Sequence, residues 1–142
     1  MADAIKKGFL SDEIVYQDAS IVSKQIIKKP SGNITLFAFD KDETLTEHTS
    51  PFEAVVYLVD GEMEIRIGGN PYIVKAGEII IMPPDIPHAL LAIQKSKMLL
   101  TMIKWNELNM DWITIEMILD TLHTVSKPLY FVLNRVANKL FS

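Results

Sequence analysis

The sequence predicts an all-β fold, a closed antiparallel barrel or sandwich of short strands, followed by a helical C-terminal extension. Three observations carry that reading. Between Ile14 and Lys104, apolar, β-branched and aromatic residues come in runs of about four to eight, broken at short intervals by turn residues. No helical periodicity interrupts those runs, which argues against alternating strands and helices. After Asn106 the apolar residues recur at helical spacing instead. The expected division is therefore a β body over 1–104 and a helical extension over 105–142.

IVYQD, from Ile14, opens the strand series, and SIVSKQIIK continues it. Lys29-Pro30-Ser31-Gly32-Asn33 then reads as a turn, because proline and glycine supply the fixed and positive φ angles that tight turns need. NITLFAFD alternates, with Ile34, Leu36 and Ala38 on one face and Thr35, Phe37 and Phe39 on the other. AVVYLVDGEMEIRIGGNPYIVKAGEIIIM reads as four strands, with hairpin signals at Asp60-Gly61 and Gly69-Asn70 and a further turn at Ala76-Gly77. Met63, Ile65 and Ile67 alternate with Glu62, Glu64 and Arg66, so that segment has one buried and one wet face. ALLAIQ and KMLLTMIKW are expected to form a closing pair around Gln94-Lys95-Ser96-Lys97.

In the extension, Trp112, Ile115, Met117, Ile118, Leu119 and Leu122 form a helical stripe, with Asp111 as cap or first-turn acid. Ser126-Lys127-Pro128 reads as a second cap, and Leu129, Val132, Leu133, Val136 and Leu140 as a second stripe. Such a tail packs against the barrel or a second subunit. Lying on a membrane surface, suggested by Arg135 and Lys139, is the less favoured role.

Bulk properties narrow the function classes. A chain of 142 residues is about one domain long, and 49% hydrophobic with 23% charged residues suits a globular rather than a disordered chain. Net charge is −4 and the pI about 5.3, which argues against a nucleic-acid footprint. No cysteine is present, so disulfides, thiolate nucleophiles and cysteine zinc sites are excluded. No stretch has the length and apolarity of a membrane span, and the N-terminus lacks the apolar core of a signal peptide, so a cytoplasmic protein is expected.

Within the β body, DETLTEHTSPFEAVVYLVDGEMEI followed by GEIIIMPPDIPHALLAI resembles the two signature motifs of the cupins, small antiparallel jelly-roll barrels. In the first motif, over about 42–61, Gly61 matches the closing glycine and His48 the first histidine. Ser50 stands where the second histidine belongs, Ala54 where the glutamate belongs and Asp42 where the opening glycine belongs. In the second motif, over about 77–92, Gly77, Pro83 and His88 match, while Asp85 replaces a glycine and Ala92 an asparagine.

The resemblance implies a barrel whose mouth holds His48 and His88, with a divalent transition metal (Zn, Ni, Mn or Fe) as the expected cofactor and these two histidines as its ligands. Two imidazoles without the carboxylate hold such an ion weakly. The leading expectation is a small-molecule-binding cupin of unknown ligand, non-catalytic or weakly catalytic, with a degenerate two-histidine site. The alternative is a divalent-metal-dependent isomerase, decarboxylase or lyase using the same pair. His48, Ser50, His88, Met82 and Met102 are the candidate ligand-binding residues, the methionines either lining a soft cavity or simply filling core. Each histidine is either a pocket group or a strand-end residue bonded to a carbonyl. Tyr57 and Tyr72 are open candidates for an inward hydroxyl, and a homodimer is expected, as cupins often pair.

Overall fold

A computed structural model of the chain describes residues 7–104, 117, 119–121, 123 and 135. The chain divides into two compact units, Met1–Trp105 and Asn106–Ser142. A short 3-10 turn, Leu10–Asp12, precedes nine strands: β1 Ile21–Lys29, β2 Gly32–Phe39, β3 Thr44–His48, β4 Glu53–Asp60, β5 Glu62–Ile67, β6 Asn70–Lys75, β7 Ile79–Met82, β8 His88–Ala92 and β9 Ser96–Ile103. They form a five-stranded sheet, β1-β2-β9-β4-β7, and a four-stranded sheet, β3-β8-β5-β6, in which neighbouring strands run antiparallel.

The two sheets share one core. Phe39, Ala54, Val56, Leu58, Met82 and Met98 from the first sheet meet Met63, Ile65, Val74, Leu90 and Ala92 from the second. Period-two alternation produces this: every second residue of β4 (Ala54, Val56, Leu58) and of β5 (Met63, Ile65) is buried. The outer face of the five-stranded sheet is apolar as well. Leu36 and Ala38 of β2 are buried there beneath Ile14, with Leu10 and Tyr16 packed alongside. Further along that sheet, Tyr57, Ile79 and Ile81 remain exposed at 38%, 64% and 52%.

Three sequence expectations are corrected. IVYQD is not a strand: Ile14 plugs the outer face, and the Tyr16 hydroxyl donates to Asp60 at 2.7 Å, so side-chain contacts, not a ladder, fix the segment. ALLAIQ and KMLLTMIKW do not pair with one another, because β8 joins β3 and β5 while β9 joins β2 and β4. Nor is Asp60-Gly61 a hairpin, since β4 and β5 belong to different sheets. Gly61, at φ +85, makes the corner between them, and an added Cβ would collide with the Lys95 carbonyl oxygen. The β5–β6 turn is Gly68-Gly69, both with positive φ, a geometry that glycine pairs supply without steric cost.

In the C-terminal unit the described residues Met117, Leu119, Asp120, Thr121, His123 and Arg135 are helical, and the Thr121 hydroxyl donates to the Met117 carbonyl at 2.8 Å. The expectations for Asp111, Trp112, Ile115, Ile118, Leu122, Ser126, Lys127, Pro128 and the second stripe lie outside the described residues. Among the described residues no helix is long and apolar enough to cross a membrane.

Candidate functional site

Strands β3 and β8 set the site. Leu45 pairs with Leu90, and His48 with His88, so three steps along β3 match two along β8. The extra residue is a β-bulge at Thr46–Glu47, and it reverses the facing of the residues beyond it. In an unbroken strand Leu45 and His48 point to opposite faces; here both line the same cavity. Glu47, whose carboxylate stands next to the histidine in sequence, is exposed and does not line it.

The two imidazoles meet edge to face, with ring centroids 4.3 Å apart and planes at 66°. His88 is buried at 5% exposure, whereas His48 is exposed, so the pair spans from the interior to the mouth. His48 Nδ1 lies 2.7 Å from the Thr46 carbonyl and His88 Nδ1 lies 3.0 Å from the Ile86 carbonyl. A carbonyl oxygen only accepts, so Nδ1 carries the proton on both rings. In the neutral rings each Nε2 then keeps its lone pair. Each histidine is therefore bonded to a carbonyl and also lines the cavity.

The cavity holds about 60 Å³ and is lined by His48, Ser50, His88, Met82 and Met102, with Met98 beside them. Leu45, Ala54, Leu90 and Leu100 complete its walls, so no charged side chain takes part among the described residues. Met63 is fully buried but does not line it. Tyr57 and Tyr72 are 38% and 47% exposed, and neither reaches it. Two larger concavities lie elsewhere, one of about 210 Å³ beside Lys24 and Glu13 and one of about 230 Å³ over Thr44, Glu64 and Arg66. Of the three, the smallest is the chemical candidate because it alone gathers paired nitrogen acceptors in an apolar wall.

The surrounding loops are bonded to one another. The Asp85 N–H donates to the Ser50 carbonyl at 2.8 Å, and the Gly68 N–H donates to the Pro87 carbonyl at 2.8 Å. Asp42 and Asp85 have φ of +67 and +63. They stand where the motifs that this chain resembles carry glycine, and aspartate is among the few side chains that tolerate this region. Both aspartates therefore sit in the left-handed region that glycine enters without steric cost.

The donor set does not match the divalent metal that the resemblance implies. Ser50, in the position of the second histidine, accepts the Phe52 N–H at 3.2 Å through its Oγ. Ala54, in the position of the carboxylate, offers no donor. Among the described residues no group of three His, Cys, Asp or Glu comes together. Two neutral nitrogens fall short of the three protein ligands usual at catalytic zinc.

The Cupin domain family matches residues 35–104. A conserved protein of unknown function from Streptococcus pyogenes is 33% identical, with a TM-score of 0.70, covering 73% of this chain and 91% of that one. A cupin 2 conserved barrel domain protein from Leptotrichia buccalis is 40% identical, with a TM-score of 0.64, covering 66% of this chain; the match spans 46% of that chain. A cupin superfamily protein from Desulfitobacterium hafniense is 19% identical with a TM-score of 0.66, covering 68% of this chain and 88% of that one, a likeness of fold alone. No curated protein matches. With its two antiparallel sheets closed around one core and the family match over residues 35–104, the chain belongs to the cupin superfamily.

Proposed function

We propose that this cupin binds a small molecule between His48 and His88 without catalysing, or only weakly catalysing, its conversion. The observation that carries the reading is the ring pair 4.3 Å apart at one small apolar cavity, each Nδ1 committed to a backbone carbonyl. Two Nε2 acceptors and no charged wall favour a ligand that brings hydroxyl or other neutral donors on a compact apolar body. An ionised carboxylate is disfavoured, because it meets lone pairs unless a ring takes up a proton. A volume of about 60 Å³ admits only a few heavy atoms, so a larger ligand leaves part of itself at the mouth.

The test is a screen of small polyols and sugars by ligand-observed saturation-transfer NMR, wild type against the His48→Ala/His88→Ala double variant, with the ring proton resonances of His48 and His88 followed in the wild type. Ligand-dependent histidine shifts in the wild type, together with loss of the saturation-transfer signal in the variant, support the site. Binding that survives in the variant would sink it. The expected homodimer is supported by Tyr57 of β4 and Ile79 and Ile81 of β7, exposed on the outer face at the end of the sheet, where β7 pairs with β4 alone among the described residues. Sedimentation of wild type and Ile81→Lys checks it, a monomeric wild type counting against pairing.

A further inference from the structure

We propose that the same cavity is a soft-donor site for copper(I), with thioethers in place of the carboxylate. This goes beyond the hydroxyl-donor reading by giving the same Nε2 lone pairs a metal occupant, and it rests on both rings lining one cavity. The observation is one of register. Ala54 is paired directly with Met82 on β7 and with Met102 on β9. Cross-strand partners share a face, so both thioethers flank the small side chain on the cavity side, and both line the cavity. The residue that would project a carboxylate is a methyl group with sulfur on either side.

Ordinary core filling accounts for Met63, which is buried and away from the cavity. Met82 and Met98 belong to the same core, yet they and Met102, three of the chain's seven methionines, also line a cavity of about 60 Å³ with the only paired imidazoles among the described residues. Thioethers favour copper(I) and imidazole suits copper as well, while hard divalent ions seek carboxylates. Charge decides in the same direction. The desolvation cost of an ion grows with the square of its charge, so burying a divalent ion costs about four times as much as burying a monovalent ion of equal size. Among the described residues no anion lines this cavity to offset the larger cost. The backbone-anchored Nδ1 protons also leave both Nε2 atoms as the free donors, the arrangement seen when outer hydrogen bonds orient metal-binding histidines.

The test titrates the full-length, chelator-stripped protein anaerobically with copper(I) against bicinchoninate, and in parallel with zinc(II) against a chromophoric zinc indicator. The Met82→Leu/Met102→Leu variant keeps side-chain size and is checked for an unchanged thermal transition. Copper(I) is expected to bind near one equivalent, and the variant to weaken it by about tenfold or more with zinc binding unmoved. X-ray absorption of the copper(I) form should show a sulfur scatterer, which in a chain without cysteine is methionine. Zinc bound as tightly as copper(I), copper affinity unchanged in the methionine variant, or a nitrogen-only spectrum would each overturn the proposal. If copper(I) fails to bind while small hydroxylated molecules still shift the histidine resonances, the soft site falls and the pocket stands. If neither probe responds to His48 and His88, both fall.

Discussion

The backbone N–H of Asp85 donates to the carbonyl of Ser50 at 2.8 Å, and this single bond joins the two loops that deliver the paired histidines. Asp85 holds that position with φ +63, where a β-carbon is strained. Asp85→Gly should leave stability unchanged or raise it by up to about 1 kcal/mol, whereas Asp85→Ala should lower it by about 1 kcal/mol. Urea unfolding of the two variants separates them; equal midpoints would show that the backbone angle carries no strain.

The corner between the sheets should be less tolerant. Gly61 has φ +85 and no room for a Cβ against Lys95 and Ser96. Beside it, the buried Ser96 hydroxyl accepts from the Glu62 N–H at 3.1 Å and lies within hydrogen-bond reach of the Glu62 and Gln94 carbonyls. Gly61→Ala is expected to cost more than about 2 kcal/mol, and Ser96→Ala about 1–3 kcal/mol by removing the partner of the part-buried Glu62 N–H. Calorimetric melting of both checks this, and a wild-type transition for Gly61→Ala would refute the corner geometry.

Unequal burial of the two histidines sets unequal costs. His88 is 5% exposed and wedged into the cavity wall, so His88→Ala should lose about 1–3 kcal/mol, while His48→Ala at the exposed mouth should stay within about 0.5 kcal/mol. Denaturant midpoints measure both. Equal losses would mean that His48 is packed as core.

Acid should weaken the anchorage of the segment before β1. The Ala19 and Lys41 N–H groups donate to Asp40 at 2.7 and 2.8 Å, and together with Lys95 they hold its carboxyl below the usual range. A depressed folded value means that the unfolded chain binds the proton more readily. The contribution is therefore present above about pH 4 and lost as pH falls through the folded value. The stability gap between wild type and Asp40→Asn should shrink from pH 7 to about pH 3. A gap of constant size would show that Asp40 does not titrate with folding.

Much of the barrel is legible in local pattern, because alternation in β4 and β5 reports which face is buried without reference to any partner. The features that escape such a reading are non-local. IVYQD has strand-like composition, but Ile14 and Tyr16 use it for side-chain contacts across the sheet. Adjacent segments suggest hairpins, yet β8 and β9 part to opposite sheets, and nothing in ALLAIQ or KMLLTMIKW encodes that exchange. The short segment TLTEH does not announce itself as a strand, since its bulge disrupts the alternation that would reveal it. The histidine positions are visible through their motif. The flanking of Ala54 by Met82 and Met102 is not, because it depends on the register of three strands distant in sequence.

The bulge on β3 also gives that strand a property of length. Most strands cannot lose a residue, because every later side chain would change sides. Here one residue at Thr46–Glu47 is surplus to the pairing, so its deletion would restore regular alternation with His48 still facing inward, at the cost of rearranging the His48–Thr46 bond. A slip of pairing without deletion would do the opposite, setting Glu47 across from His88. The strand thus carries a neutral and an acidic version of the same pocket, one residue of register apart.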